Sequence, residues 1–226
     1  MIPVILTVGP LATADADNIS VSQSTAGAAA LTITGDLATA GIATMDVPRR
    51  VLITSAADDR PITFRLTGTN GDGNAIREVV PGTNGASAYT TQDFLTVTEI
   101  FTSGATAGNV TAGTNGIASS PWKLTNSQHQ GVTEISWFGE VTGTITWGIQ
   151  YSYGNPNNNQ NQIGSSALGN YPTPITAINL PQLTAQTVNA DAAIDNPIQC
   201  WRAIVTAGTG SVQVTAIEGG MTESGG

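Results

Sequence analysis

Few residues in this chain are of a type that does chemistry on its own. The single cysteine is Cys200 and the single histidine is His129. A thiol becomes a nucleophile only when a base lowers its pKa or takes its proton, and His129 is the one imidazole that could serve it. Ser127 stands two residues before His129, but no Gly-x-Ser-x-Gly elbow surrounds it. Cys200 alternates with Arg202 and Ile204 as a strand residue would, so its spacing reads as that of a small buried hydrophobe. Asp58 and Asp59 are adjacent carboxylates followed by Arg60. Acid–base work needs two carboxyl groups whose surroundings separate their pKa values, whereas sequence neighbours on a turn point apart into water. Asn70-Gly-Asp-Gly-Asn74 resembles the opening of a calcium loop, but position twelve, where the last acidic ligand belongs, is Pro81. Asp15 and Asp17 beside Asn18 read as a solvated acidic turn. No nucleophile, base and orienting group occur together, so the expectation is a chain with no catalytic residues, no metal site and no cofactor: not an enzyme.

Trp122, Trp137, Trp147 and Trp201 all lie in the second half. Exposed, they would form a glycan-binding platform; buried, they would form a core. Trp147 falls on an apolar face with Ile145, Ile149 and Tyr151, which favours the core. Trp122 follows Pro121 and fits no alternation, which places it at a domain junction or a subunit contact, where aromatic side chains carry much of the binding energy. Asn18-Ile-Ser and Asn109-Val-Thr match glycosylation sequons. They are discounted because Met1-Ile-Pro-Val-Ile-Leu lacks the basic n-region and long apolar stretch of a signal peptide.

The scaffold that must position these residues is legible from composition. Charged residues make up 10% of the 226, against about 25% in an average domain. Seven basic residues and a net charge of −9 leave no cationic stripe for nucleic acid. No apolar run approaches the roughly 18 residues of a membrane helix, and one cysteine excludes an intrachain disulfide framework. Thr and Val abound, and their stiff χ1 angles favour strands. The 26 Gly and 11 Pro supply turns.

Along the chain, strand signals recur between turn signals. Ile2 to Val8 is apolar but holds Pro3, which suits an edge strand or a terminal arm. Such an arm either folds onto its own core or lies on a neighbour. Arg49 to Ser55 reads as a strand with Val51 and Ile53 on one face. Ile62, Phe64 and Leu66 alternate with Thr63, Arg65 and Thr67, and Asn70–Asn74 turns this strand into Ala75–Val80. Phe94 to Phe101 places Leu95, Val97 and Phe101 on one face. Thr114 to Pro121 is Gly/Ser/Pro-rich and reads as a linker. Beyond it come strands at Val132–Phe138, Thr144–Tyr151 and a closing hairpin from Gln199 to Ile217. Between them Gly154–Gln162 forms an Asn/Gln-rich tract that reads as an exposed loop. The expected fold is all-β, with two antiparallel β-sandwich domains in tandem, jelly-roll or Ig-like, over residues 1–116 and 117–226.

Several segments together resemble structural proteins of tailed-bacteriophage virions. They are Val47 to Ala75, with its Arg-Arg-Val-Leu-Ile-Thr-Ser and Asn-Gly-Asp-Gly-Asn runs; Phe94-Leu-Thr-Val-Thr-Glu-Ile; Ser103 to Gly116; and Arg202-Ala-Ile-Val-Thr-Ala-Gly-Thr-Gly-Ser-Val-Gln-Val-Thr. The resemblance spans most of residues 30–220 and carries no catalytic motif. It implies a virion protein assembled in the host cytoplasm, most specifically an adaptor joining a fibre to the tail or neck. A capsid decoration or head-surface protein is the alternative, and a carbohydrate-binding β-sandwich module the next. Partners would be other virion proteins and copies of the same chain, a trimer first. Nucleic acid and membrane are not expected partners. The expected contact residues are Ile2, Pro3, Val4, Ile5 and Leu6 of the arm, Trp122, and Asn157, Asn158 and Asn159 of the polar loop.

Overall fold

The computed structural model describes residues 3–125, 134–154, 156 and 175–219. Among these the chain is all-β and antiparallel, with a single 3-10 turn at Pro181–Leu183 and no α-helix. The strands are β1 (Val4–Val8), β2 (Ser20–Gln23), β3 (Ala38–Thr39), β4 (Ile42–Ser55), β5 (Thr63–Thr69), β6 (Ala75–Pro81), β7 (Ser87–Tyr89) and β8 (Phe94–Thr102). They continue with β9 (Val110–Ser119), β10 (Lys123–Leu124), β11 (Glu134–Thr142), β12 (Ile145–Ser152), β13 (Ile178–Asn179), β14 (Ala190–Ile194), β15 (Cys200–Gly208) and β16 (Ser211–Gly219).

Two compact units form. One is built on Thr13–Ala118; the other joins Met1–Ala12 to Ser119–Asn157 and Ile175–Gly226. The arm expected in an N-terminal domain is thereby reassigned. Val4 to Val8 pair in register with Ala216 to Val212, so the arm is an edge strand on β16 of its own chain. The reason lies in its alternation: Val4 and Leu6 turn partly inward and Val8 is buried, while Ile5 and Thr7 face out. Pro3 precedes the strand, where its missing N–H breaks no ladder. The expected linker at 114–121 is corrected as well, because Val110–Ser119 is strand and the division falls after Ala118. The glycine that opens into this stretch serves close approach. A side chain on Gly113 would collide with the backbone of Asp15 and Ala16.

In the unit built on Thr13–Ala118, the strands run in the order β9, β4, β8, β5, β6. The first part of β4 pairs with β8, and the second lies between β7 and β9. The register shifts on either side of Arg49. Arg49 is buried there, and its Nε and Nη2 donate to the two carboxylate oxygens of Asp46 at 2.7 and 2.6 Å. The fork satisfies both groups where the ladder is broken. Phe64, Leu66, Phe94, Val97 and Ile100 fill the core beside Ile19 and Ile53. The expected shared face of Leu95, Val97 and Phe101 is corrected. Leu95 and Phe101 are only half-buried, and Val97 and Ile100 take the inner positions. Thr67 faces Glu99 while Gly68 faces Val97, so β8 carries an extra residue at Thr98 and switches faces there. Outside the bulge Arg65 lies 4.7 Å from the Phe101 ring centroid and bonds Glu99 at 3.1 Å.

The second unit holds two packed layers. One is the four-stranded sheet β1–β16–β11–β14; the other contains β13, β12 and β15, with β10 beside β15. Trp137 of β11 meets Trp201 of β15 edge-on at 6.0 Å between centroids, interplanar angle 73°. Trp147 of β12 reaches across to Gly139 of β11, where even a methyl group would overlap the outer carbons of its indole. All three tryptophans are fully buried. The sheet pleat puts Ile135, Trp137 and Gly139 toward this core. Gly139→Ala should therefore destabilise the protein by about 1–3 kcal/mol, the usual result of overpacking. Chemical denaturation read by tryptophan fluorescence checks this, and an unchanged midpoint would show that the two layers are not in contact there.

Candidate interaction surface

Because Ile135, Trp137 and Gly139 point inward, their neighbours on β11 point out. Glu134, Phe138 and Glu140 are exposed and Ser136 half-exposed. Register then lines up the outward residues of the adjacent strands. Phe138 stands between Thr215 of β16 and Asp191 of β14, and Ile5 of β1 pairs with the far side of Thr215. Ser136 stands between Ile217 and Ala193. Glu140 faces Gln213, which in turn faces Thr7. Three large apolar side chains lie on this face with much of their surface in water: Ile5 at 56%, Ile217 at 44% and Phe138 at 42%. A cleft of about 430 Å³ runs along it, lined by Phe138, Glu140, Asp191, Ala193, Thr215 and Ile217. Isolated exposed hydrophobes are ordinary; here three share one sheet face.

The arm thus enters this surface through Ile5 and Thr7, of which Ile5 is the apolar one. Ile5 is exposed on the face and Pro3 is exposed just before β1, whereas Val4 and Leu6 are turned half inward opposite Ala216 and Val214. Ile2 lies outside the described residues, as do Asn157, Asn158, Asn159 and His129. Trp122 is not on the face. It is half-buried within the same unit, its ring 4.6 Å from the guanidinium carbon of Arg202. Arg202 is buried on β15 and donates to Gln150 Oε1 at 3.0 Å and Ser119 Oγ at 3.2 Å. The indole therefore covers a buried cation, which explains an aromatic residue that no alternation accounts for. Phe138, Glu140, Asp191 and Ile217 were missed by sequence reasoning. The signal was present in Glu134-Ile-Ser-Trp-Phe-Gly-Glu, where the even positions form an outward row.

The other residues of chemical interest are engaged locally. Asp58 and Arg60 form an exposed bidentate pair at 2.7–2.8 Å, and these bonds to Arg60 hold the Asp58 carboxyl below its ordinary value. Asp59 is buried, with Oδ1 accepting the Ala107 N–H at 2.7 Å. The two carboxylates therefore sit in different environments with different partners. At the other acidic turn, the hydrogen bond and charge of Asp15 push Asp17 up. The Asn70–Asn74 segment closes the β5–β6 hairpin, with Asn70 Oδ1 accepting the N–H groups of Asp72 and Asn74. Trp137, Trp147 and Trp201 are spent in the core, so they form no glycan platform.

No protein-family model, curated protein or solved structure matches the chain.

Cys200 is buried on β15, and its thiol donates to the Gly154 carbonyl at 3.3 Å. Burial pushes its pKa up to about 12 against the opposing charge of Arg202 and a hydrogen bond from the Ser152 backbone. The native state thus holds the proton more tightly than the unfolded chain does. This contribution is fully present below the ordinary thiol value of 9.0 and is lost as pH rises toward about 12. Two outcomes follow: maleimide should leave the native protein unlabelled at pH 8 and label it fully in denaturant. Rapid native labelling would place the thiol at the surface.

Proposed function

We propose that this chain is a structural protein of a tailed-bacteriophage virion: an adaptor that joins a fibre to the tail or neck through protein–protein contacts. The reading treats the two units as sandwich-like β modules, and the protein as a homo-oligomer, a trimer first, that works inside the assembled particle. The observation that carries a contact function is the outer face of β1–β16–β11–β14. It presents Ile5, Phe138 and Ile217 together on a rigid sheet, while Cys200 and Asp59 are buried and Asp58 is paired with Arg60. A surface built this way binds by shape and apolar area. The choice of virion, and of an adaptor within it, comes from the sequence resemblance of the Val47–Ala75, Phe94–Ile100, Ser103–Gly116 and Arg202–Thr215 segments.

The contact role also fits the placement of the arm. By pairing with β16, β1 extends the sheet by one strand and adds Ile5 to the face. Among the described residues no strand pairs with its second edge, and β1 holds no lysine to guard it. Copies of the chain, or a neighbouring virion protein, can cover that edge.

Gold-labelled antibody against the protein, applied to disrupted particles, tests the assignment. The label should mark tail or neck complexes and be missing from tailless heads. Label spread over heads would make it a decoration protein, and absence from purified particles would end the virion reading.

A further inference from the structure

Beyond contact in general, the outer face has a definite chemistry. Phe138 is flanked by two carboxylates on its own face: Asp191 directly across on β14 and Glu140 two residues along β11. Glu134 adds a third at the end of the same row. No basic residue lies among the outward positions of β1, β16, β11 and β14. Among the described residues neither Glu140 nor Asp191 is in a salt bridge; the pairs formed are Arg49–Asp46, Arg50–Asp93, Arg60–Asp58 and Arg65–Glu99, all elsewhere. The cleft along Phe138 and Ile217 therefore combines an apolar floor with an acidic margin.

We infer that this cleft receives an extended segment of a different protein, one carrying arginine or lysine between apolar residues. An arginine stem lies along Phe138 and Ile217 while its guanidinium reaches Asp191 and Glu140. The ring face attracts the cation and the carboxylates accept its hydrogen bonds. The same charges argue against a second copy as the occupant. Two such faces brought together would oppose carboxylate to carboxylate, which penalises association. The unit that carries the face has one lysine and one arginine, Lys123 and Arg202, and Arg202 is buried. Self-association therefore uses another surface.

This inference rests on the contact-protein reading and adds the chemistry of the partner. Its test uses the full chain, labelled with nitrogen-15, and a synthetic peptide of alternating leucine and arginine. Controls are the leucine–glutamate and serine–arginine peptides. Amide shifts should move within residues 134–142, 190–194 and 211–219. The affinity should fall by about tenfold or more for the serine–arginine peptide, for Phe138→Ser, and for the nearly isosteric Glu140→Gln/Asp191→Asn pair. The paired amide variant keeps the test decisive should Phe138→Ser fail to fold. Shifts scattered over the acidic turns of Thr13–Ala118, or an affinity indifferent to these substitutions, would overturn the inference. So would a concentration-dependent dimer that Phe138→Ser dissociates, because the occupant would then be a second copy. Failure here leaves the particle-labelling result untouched, and peptide binding by a protein absent from particles would refute the virion reading alone.

Discussion

Gly139 is a glycine because the Trp147 indole occupies the space its side chain would need. That one close approach fixes the distance between two layers and the phase of β11. A strand slipped by one residue turns every side chain to the opposite face. Here a slip would put Phe138 or Glu140 against the indole and bring Trp137 to the surface. Trp147 is itself held by the Val188 carbonyl, which accepts its Nε1–H at 3.2 Å, and by paired backbone bonds to Gln186. The segment before β14 is thus tied to the same ring, and Asp191 follows a few residues later. The buried tryptophan determines what the outer surface displays.

The two faces of this sheet divide the labour. The inner face is large, aromatic and dry. The outer one sets Ile5, Phe138 and Ile217 among carboxylates and neutral polar side chains, and only its pleat separates the two. Charged groups are engaged elsewhere too: Arg202 stacks on Trp122, Arg49 forks to Asp46, and Asp59 anchors the loop at Ala107. Each places a charge where its partner is fixed, so each serves the frame. The exposed carboxylates beside Phe138 do not serve the frame in this way, which is why they are assigned to a partner.

Strand content and the hairpin at Asn70–Asn74 were legible because alternation and turn chemistry are local. Phe64, Leu66, Val51 and Ile53 are buried as their spacing requires. The arm's destination was not legible: Val4–Val8 alternates in the same way whether its partner is near in sequence or 200 residues away. Glycine in Thr114–Pro121 reads as a linker from composition alone, yet Gly113 and its neighbours belong to a strand packed closely on Asp15–Asp17. The bulge at Thr98 defeats a fixed period of two. The proposed contact face escaped notice because it is not a run of residues. It forms only when register brings Phe138, Asp191, Thr215 and Ile5 into one row.

The central claim is that this row meets another protein. The most direct measurement replaces Phe138 by a photo-reactive benzoylphenylalanine in the particle to which the protein is proposed to belong, with the exposed Tyr89 of the other unit as control. Irradiation should join position 138 to a different virion polypeptide, at a peptide that contains arginine or lysine. A particle that assembles normally yet gives no adduct at 138, or gives one only to another copy of this chain, would contradict the account.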